Sequence, residues 1–256
     1  MKNKKPIYIL IAVLIYVIFI SFPTYLFVKD DITLRYIIEV VLRSAYLIFI
    51  ILFSIFTKIA KSYNGKTKWL NMLLLAPLFF VAFFNLFYWE VVCRVGFGAL
   101  KDQFEVIFKN TDQILRFICI IITVVEEELL FRYILQRNLN LGHKVVRIAV
   151  TAAIFTICHF FTMLYDQAGM INPLQLIELI MVFGIGMILG FLYEYTNSII
   201  YAIAFSFLYS LCAVLLPINI TPTIGWPYYL TLGLFAAGSV LYICIFYFFM
   251  LKKENR

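Results

Sequence analysis

Charge is scarce in this chain of 256 residues, of which only 14% are charged and 64% are hydrophobic. Soluble globular proteins carry about 25% charged and roughly 45–50% apolar residues. From residue 195 to residue 251 there is no Asp, Glu, Lys or Arg. A water-soluble fold of this length could not cover so much apolar side chain. The composition therefore excludes a water-soluble globular protein and indicates a membrane protein.

Metal-ligand and disulfide patterns are also missing. The five cysteines include no CxxC pair, and the two histidines form no HExxH motif. Neither a thiolate zinc site nor a disulfide framework is indicated. Catalytic zinc usually takes three protein ligands with histidine prominent. We expect no cofactor, because the ligand count does not support a zinc site.

A clustered basic surface is absent although the net charge is +7. The Lys and Arg residues lie mostly at the ends of apolar runs, which is how a membrane protein sets its orientation. Nucleic-acid binding, which needs a basic patch or stripe, is therefore not expected. The expected partners are membrane lipid and a peptide or membrane-protein substrate, and the sequence carries no signal of oligomeric state.

Apolar runs of about 20 residues, the length that crosses a bilayer, predict an all-α polytopic membrane protein with eight spans. The spans lie at residues 6–28, 36–56, 69–89, 112–135, 148–165, 174–193, 198–216 and 228–251. No linker rich in Ser, Gly or Pro divides the chain. We group it as residues 1–111 (helices 1–3 and a loop), 112–217 (a core of helices 4–7) and 218–256 (helix 8 and a tail).

The fourth span is unusual because it holds three consecutive carboxylates, Glu126, Glu127 and Glu128. A charged side chain at mid-bilayer opposes insertion by roughly 2.5–3.5 kcal/mol, so such groups usually face a protein interior or a water-filled cavity. Arg132 follows Glu128 at i,i+4 and can pair with it. Glu127 points about 100° away and is expected to matter more than Glu126. The alternative is that the helix ends here and the glutamates are solvated.

Two further spans carry polar side chains. In the second span, Glu39 and Arg43 are spaced i,i+4 and are able to pair. In the fifth span, His159 follows the acidic cluster by one span, and histidine is a common proton-transfer partner. The alternative for His159 is a hydrogen-bonded interior residue without a catalytic role. His143 lies in a basic loop and is expected to be exposed.

Four short motifs follow one another in this part of the chain. Residues 127–132 read EELLFR and match EExxxR, and residues 155–159 read FTICH and match FxxxH. Residues 183–190 form a glycine-rich run, and residues 196–198 read TNS. In this order and on these spans, residues 114–211 resemble the CPBP family of intramembrane proteases, the CAAX-processing and bacteriocin-processing enzymes also called the Abi family.

The resemblance implies hydrolysis of a peptide bond at a site within the membrane. Glu127 would activate water as the general base, and His159 would position that water or move its proton. Glu128 and Arg132 would fix the helix. The family's third motif, HxxxN or HxxxD, is not present: Ser206 and Ser210 stand at its two positions. They would be supporting residues.

Three functions are therefore kept. The first is an intramembrane endopeptidase of the CPBP type, similar to CAAX prenyl protease 2. The second is a catalytically impaired family member acting as a membrane regulator or a bacteriocin self-immunity protein, which the two serines favour. The third is a small transporter that uses the glutamates as a proton relay. A peptide-cleavage assay separates the first two.

The loops predict a multi-pass protein of the cell membrane with both termini in the cytoplasm. Thirteen Lys and Arg residues lie on the side of the termini and six on the other side, and the richer side is cytoplasmic. Reporter fusions after Lys66 and Lys144 should therefore report the cytoplasm, and a fusion after Asp102 the outside. An outside signal at Lys144 would contradict this topology.

Overall fold

The computed structural model describes residues 5–20, 31–57, 111–166 and 173–214, and a few positions between 233 and 248. Helices account for these segments, and no strand occurs within them. The α-helices are α1 (Lys5–Ile20), α2 (Ile32–Phe56), α3 (Thr111–Glu128), α4 (Lys144–Asp166), α5 (Pro173–Thr196) and α6 (Ile199–Val214). A π-helical segment, Leu129–Gln136, continues α3 directly.

The helical character of the predicted spans is confirmed where the structure describes them. Spans two, five, six and seven correspond to α2, α4, α5 and α6, and span four to α3 with the π-helical segment. Helix α1 covers most of the first span. The rest of that span, the third span and most of the eighth lie outside the described residues. Within the described residues three helices, α2, α4 and α5, are long and apolar enough to cross a membrane, and α1 and α6 are shorter apolar helices. The described part of this membrane protein is thus all-helical, and the number of eight spans stays a prediction.

The π-helical segment lies at the centre of the packing. It contacts α1, α2, α4, α5 and α6, besides continuing α3. Most of its side chains are buried, namely Leu130, Phe131, Arg132, Ile134, Leu135 and Gln136. Since burial falls on almost every position rather than on one stripe, this segment is surrounded by protein on all sides. Single π-helical turns within α-helices are frequent at functional sites.

Two hydrophobic clusters of buried residues meet at α4. The first joins α5, α6 and Ile148 of α4, and the second joins α1, α2, the π-helical segment and α4. Helices α3 and α6 also pack against each other, with the rings of Phe117 and Phe207 6.0 Å apart. Helix α4 therefore contributes to both clusters and links the two halves of the bundle.

The glycine-rich run on α5 allows close approach of α4, as the small residues at this spacing predict. A Cβ on Gly190 would lie 2.6 Å from Cγ2 of Ile148 and 3.2 Å from Oε1 of Gln136. In the same place Gln136 donates a hydrogen bond to the carbonyl of Gly190 (3.0 Å) and another to Glu194 (3.2 Å). Arg147 also contacts Glu194, at 2.6 Å. Polar side chains thus join α4, α5 and the π-helical segment at this end.

Helix α5 ends at the TNS turn. Asn197 has a φ of +51°, a left-handed conformation that asparagine adopts more readily than most residues. Its N–H donates to the carbonyl of Tyr193 at 2.8 Å, and the hydroxyl of Thr196 donates to the carbonyl of Leu192 at 2.7 Å. These bonds satisfy carbonyls at the helix end. The turn then directs the chain straight into α6.

Replacing Gly190 with alanine should destabilise the bundle. The added methyl group meets the branched side chain of Ile148, and overpacking of this kind typically costs about 1–3 kcal/mol. Thermal unfolding in detergent measures the effect. Gly233→Ala is the matched control, because nothing lies within 4 Å of that Cβ and alanine is favoured over glycine in a helix. An equal or higher melting temperature for Gly190→Ala would contradict the close approach.

Candidate active site

The three consecutive glutamates are buried inside the protein. Glu126 and Glu128 are fully buried, and Glu127 is 7% exposed. The alternative of a solvated helix end is therefore wrong. Because a charged group removed from water needs a compensating partner, each carboxylate must find one within the bundle.

Glu127 has two neighbours at the same oxygen. The hydroxyl of Tyr16, on α1, donates a hydrogen bond of 2.7 Å to its Oε1. Nε2 of His159, on α4, lies 3.7 Å from that Oε1. The structure thus brings together Glu127 and His159, the two residues predicted to be catalytic, and adds a tyrosine that the sequence analysis did not select.

The imidazole of His159 is oriented by its own helix. Its Nδ1 lies 3.0 Å from the carbonyl oxygen of Phe155. A carbonyl oxygen only accepts hydrogen bonds, so Nδ1 carries the hydrogen and the neutral ring has its lone pair at Nε2. The ring packs against that of Phe155 with centroids 4.3 Å apart. The side chain of His159 is 25% exposed, against 9% for Glu127, so the site opens on the histidine side.

Glu128 and Arg132 form the i,i+4 ion pair that their spacing predicts. Oε2 of Glu128 and Nε of Arg132 are 3.3 Å apart, and both side chains are fully buried. The guanidinium also lies over the ring of Phe155, 5.4 Å from its centroid, which is a cation–π arrangement. The pair therefore contacts Phe155, the residue whose carbonyl oxygen orients His159.

Comparison with known families gives one match to this part of the chain. Residues 109–212 match the family described as type II CAAX prenyl endopeptidase Rce1-like. The segment is similar to that family, and we call it the Rce1-like domain. The match confirms, at the level of the family, the resemblance to intramembrane proteases of the CPBP type. No curated protein and no solved structure matches the chain.

Glu126, in the Rce1-like domain, forms an ion pair with a residue of α2, which lies outside that domain. Arg43 of α2 binds its carboxylate directly, although its i,i+4 spacing from Glu39 would also allow a local pair. Glu39 pairs with Arg35, 3.2 Å away and also at i,i+4. The physical reason is burial: Glu126 is fully buried and needs a cation, whereas Arg35 and Glu39 are partly exposed to solvent or lipid.

Ser206 and Ser210 lie on α6, within the Rce1-like domain. Ser206 is buried and Ser210 half-buried. They are one helical turn apart and flank Phe207, whose ring contacts Phe117 of α3. The helix that carries them is therefore packed against the helix that carries Glu127. Their part in the chemistry stays a proposal.

Two residues at this site lie outside the Rce1-like domain and were missed by sequence reasoning. Tyr16 is one of 17 tyrosines and lies in an apolar span, so no pattern distinguished it. Arg43 carried a usable signal, because a charged residue inside a predicted span requires a partner. Its partner Glu126, however, lies 83 positions further along the chain. His143, in contrast, is exposed as expected.

A metal centre is not built by the described side chains. Among them, no three His, Cys, Asp or Glu residues converge closely enough to hold an ion. Glu127 is contacted by one phenol, which donates a hydrogen bond to it, and faced by one imidazole. Together these groups can orient a carboxylate and handle a proton. General acid–base chemistry is what this arrangement can perform.

Removing Arg43 should destabilise the protein far more than removing Arg35. Arg43→Met leaves the buried Glu126 without its cation, and breaking a buried pair in this way costs about 3–5 kcal/mol. Arg35→Met, on the same helix, breaks an exposed pair worth at most about 1 kcal/mol. Unfolding in detergent compares the two. Adding Glu126→Gln to Arg43→Met should recover part of the loss, and equal effects of the two arginine changes would contradict the buried pair.

Proposed function

We propose that this protein is a membrane-embedded endopeptidase of the CAAX prenyl endopeptidase type. It hydrolyses a peptide bond in a membrane-associated peptide or protein. The observation that supports this most directly is the distance of 3.7 Å between Oε1 of Glu127 and Nε2 of His159. Both side chains lie inside the bundle, and the site is open on the side of His159. The Rce1-like domain supports the reaction class.

The proposed nucleophile is a water molecule between Glu127 and His159. The Phe155 carbonyl holds the hydrogen of His159 on Nδ1, so Nε2 and the carboxylate both face the gap as acceptors. At 3.7 Å they do not bond to each other directly, and a bridging water satisfies both. One of its hydrogens points to each acceptor, which leaves an oxygen lone pair free to attack.

The reaction follows as general base and then general acid catalysis. As the water oxygen bonds to the carbonyl carbon, Glu127 takes its proton and the carbonyl electrons move to the substrate oxygen. When that oxygen restores the double bond, the C–N bond breaks. The leaving nitrogen takes the proton back from Glu127. His159 holds the remaining O–H, and the Glu128–Arg132 pair keeps the helix in place. The proposal uses no metal.

The negative charge on the substrate oxygen needs hydrogen-bond donors. We assign this role to α6, where the hydroxyl groups of Ser206 and Ser210 stand at the positions of the family's third motif. Serine is shorter than histidine or asparagine and reaches less far across a gap. Slow turnover is therefore expected. The presence of two serines at the positions of the third motif also favours the second candidate function. This is a family member without turnover that acts as a membrane regulator or a bacteriocin self-immunity protein.

Glu127→Gln should abolish cleavage of a fluorogenic membrane peptide by the purified protein. The amide cannot accept the proton of the water, and a positioned general base contributes roughly 10²–10⁴-fold to the rate. His159→Ala should also lower the rate, because it removes the second acceptor. Glu39→Gln is the control for loss of a carboxylate, since Glu39 belongs to the exposed pair on α2. Equal rates for Glu127→Gln and Glu39→Gln would contradict the proposed base.

Ser206→His combined with Ser210→Asn should raise the cleavage rate. The longer side chains supply oxyanion donors, each of which is worth roughly 10²–10³-fold when well placed. The gain should disappear when Glu127→Gln is added. Robust cleavage by the native protein and a lower rate for the double variant would show that other donors serve the site, with Tyr209 the first to test. If even the double variant does not cleave, the regulator is favoured.

A further inference from the structure

Helix α1 lies outside residues 109–212, yet its Tyr16 donates a hydrogen bond to Glu127. We infer that Tyr16 is the positioning residue that holds the Glu127 carboxylate, so that the active site includes the N-terminal helix as well as the Rce1-like domain. This inference rests on the proposed function. Its basis is the hydrogen bond of 2.7 Å from the Tyr16 hydroxyl to Oε1 of Glu127.

The direction of this hydrogen bond is fixed by chemistry. An ionised carboxylate only accepts, so the phenol must donate. The hydroxyl thus occupies one acceptor position of Oε1, the oxygen that also faces Nε2 of His159. A glutamate side chain has three rotatable bonds, and a single donor at one oxygen removes much of that freedom. Such orientation matters, because a misplacement of about 1 Å can cost roughly 10²-fold in rate.

The side chain of Tyr16, the donor, is closely packed. Tyr16 is fully buried, and its ring meets that of Phe131 edge to face at 5.4 Å. Phe131 in turn meets Phe155 edge to face at 5.0 Å, and Phe155 packs against His159. A continuous row of aromatic rings therefore connects the two side chains that contact Glu127. Tyr16 and His159 are positioned by one rigid unit, which fixes the gap between base and histidine.

Tyr46 provides a matched control for a purely structural role. It is also a fully buried tyrosine, and its ring lies 5.4 Å from that of Tyr16. Its hydroxyl donates to the backbone carbonyl of Ala12 at 3.2 Å. Loss of either hydroxyl leaves the same phenyl ring in the same α1–α2 interface. Only the loss at Tyr16 removes the donor to Glu127.

The kinetic test compares Tyr16→Phe with Tyr46→Phe in the fluorogenic cleavage assay, using whichever of the native protein and the Ser206→His/Ser210→Asn protein turns over faster. Tyr16→Phe should lower kcat by roughly 10–10²-fold with KM unchanged, since it misplaces the base without touching the substrate. Tyr46→Phe should leave kcat near that of its parent. Equal kcat values for the two variants, or a change confined to KM, would overturn the inference.

An unfolding cycle tests the contact without relying on activity. Tyr16→Phe should lower the melting temperature of the native protein but not that of Glu127→Met, in which the acceptor is already absent. Tyr46→Phe should shift both proteins equally. Additive shifts for Tyr16→Phe would overturn the Tyr16–Glu127 contact. Absence of cleavage by every variant, with the non-additive shift present, would instead contradict the proposed function.

Discussion

Burial of three successive carboxylates is the constraint on which this bundle depends. Neighbouring residues on a helix point about 100° apart, so Glu126, Glu127 and Glu128 face three directions and cannot share one partner. Glu126 is bound by Arg43 of α2, and Glu128 by Arg132 in the next turn. Glu127 is contacted by Tyr16 of α1 and His159 of α4. The end of α3 must therefore be surrounded by other helices, which places it at the centre of the described helices.

The π-helical segment extends this central position by two turns. Phe131 and Arg132 are adjacent buried residues with different partners. Phe131 packs against the aromatic ring of Tyr16, and Arg132 pairs with the carboxylate of Glu128. Both also reach Phe155, Phe131 through its ring edge and Arg132 over the ring face. One phenylalanine on α4 thus receives an apolar and a charged contact and positions His159 one turn away.

Most of the described helices and two of the residues around Glu127 could be predicted from the sequence. The physical reasons differ between the helices and the site. Helices such as α2 and α5 follow from long apolar runs, and the Glu128–Arg132 pair follows from local i,i+4 geometry. The juxtaposition of Glu127 with His159 was inferred from motif order. The contact of Tyr16 with Glu127 joins residues 111 positions apart, and no local pattern encodes such a distance. The Arg43–Glu126 pair shows the same limit, because burial overrode the nearer partner.

The chemistry of Glu127 itself favours a catalytic over a structural role. A glutamine at this position would accept the same hydrogen bond from Tyr16 without the cost of removing a charge from water. Glu126 and Glu128 offset that cost by binding arginines, whereas Glu127 is contacted by a phenol and an imidazole. What a carboxylate adds over an amide in this setting is the capacity to take up and release a proton. Glu127 and the two side chains that contact it lie on α1, α3 and α4, whereas Ser206 and Ser210 lie on α6. In the proposed mechanism the base and the oxyanion donors are therefore carried by separate helices, and the serines would weaken turnover while leaving the geometry of the base intact.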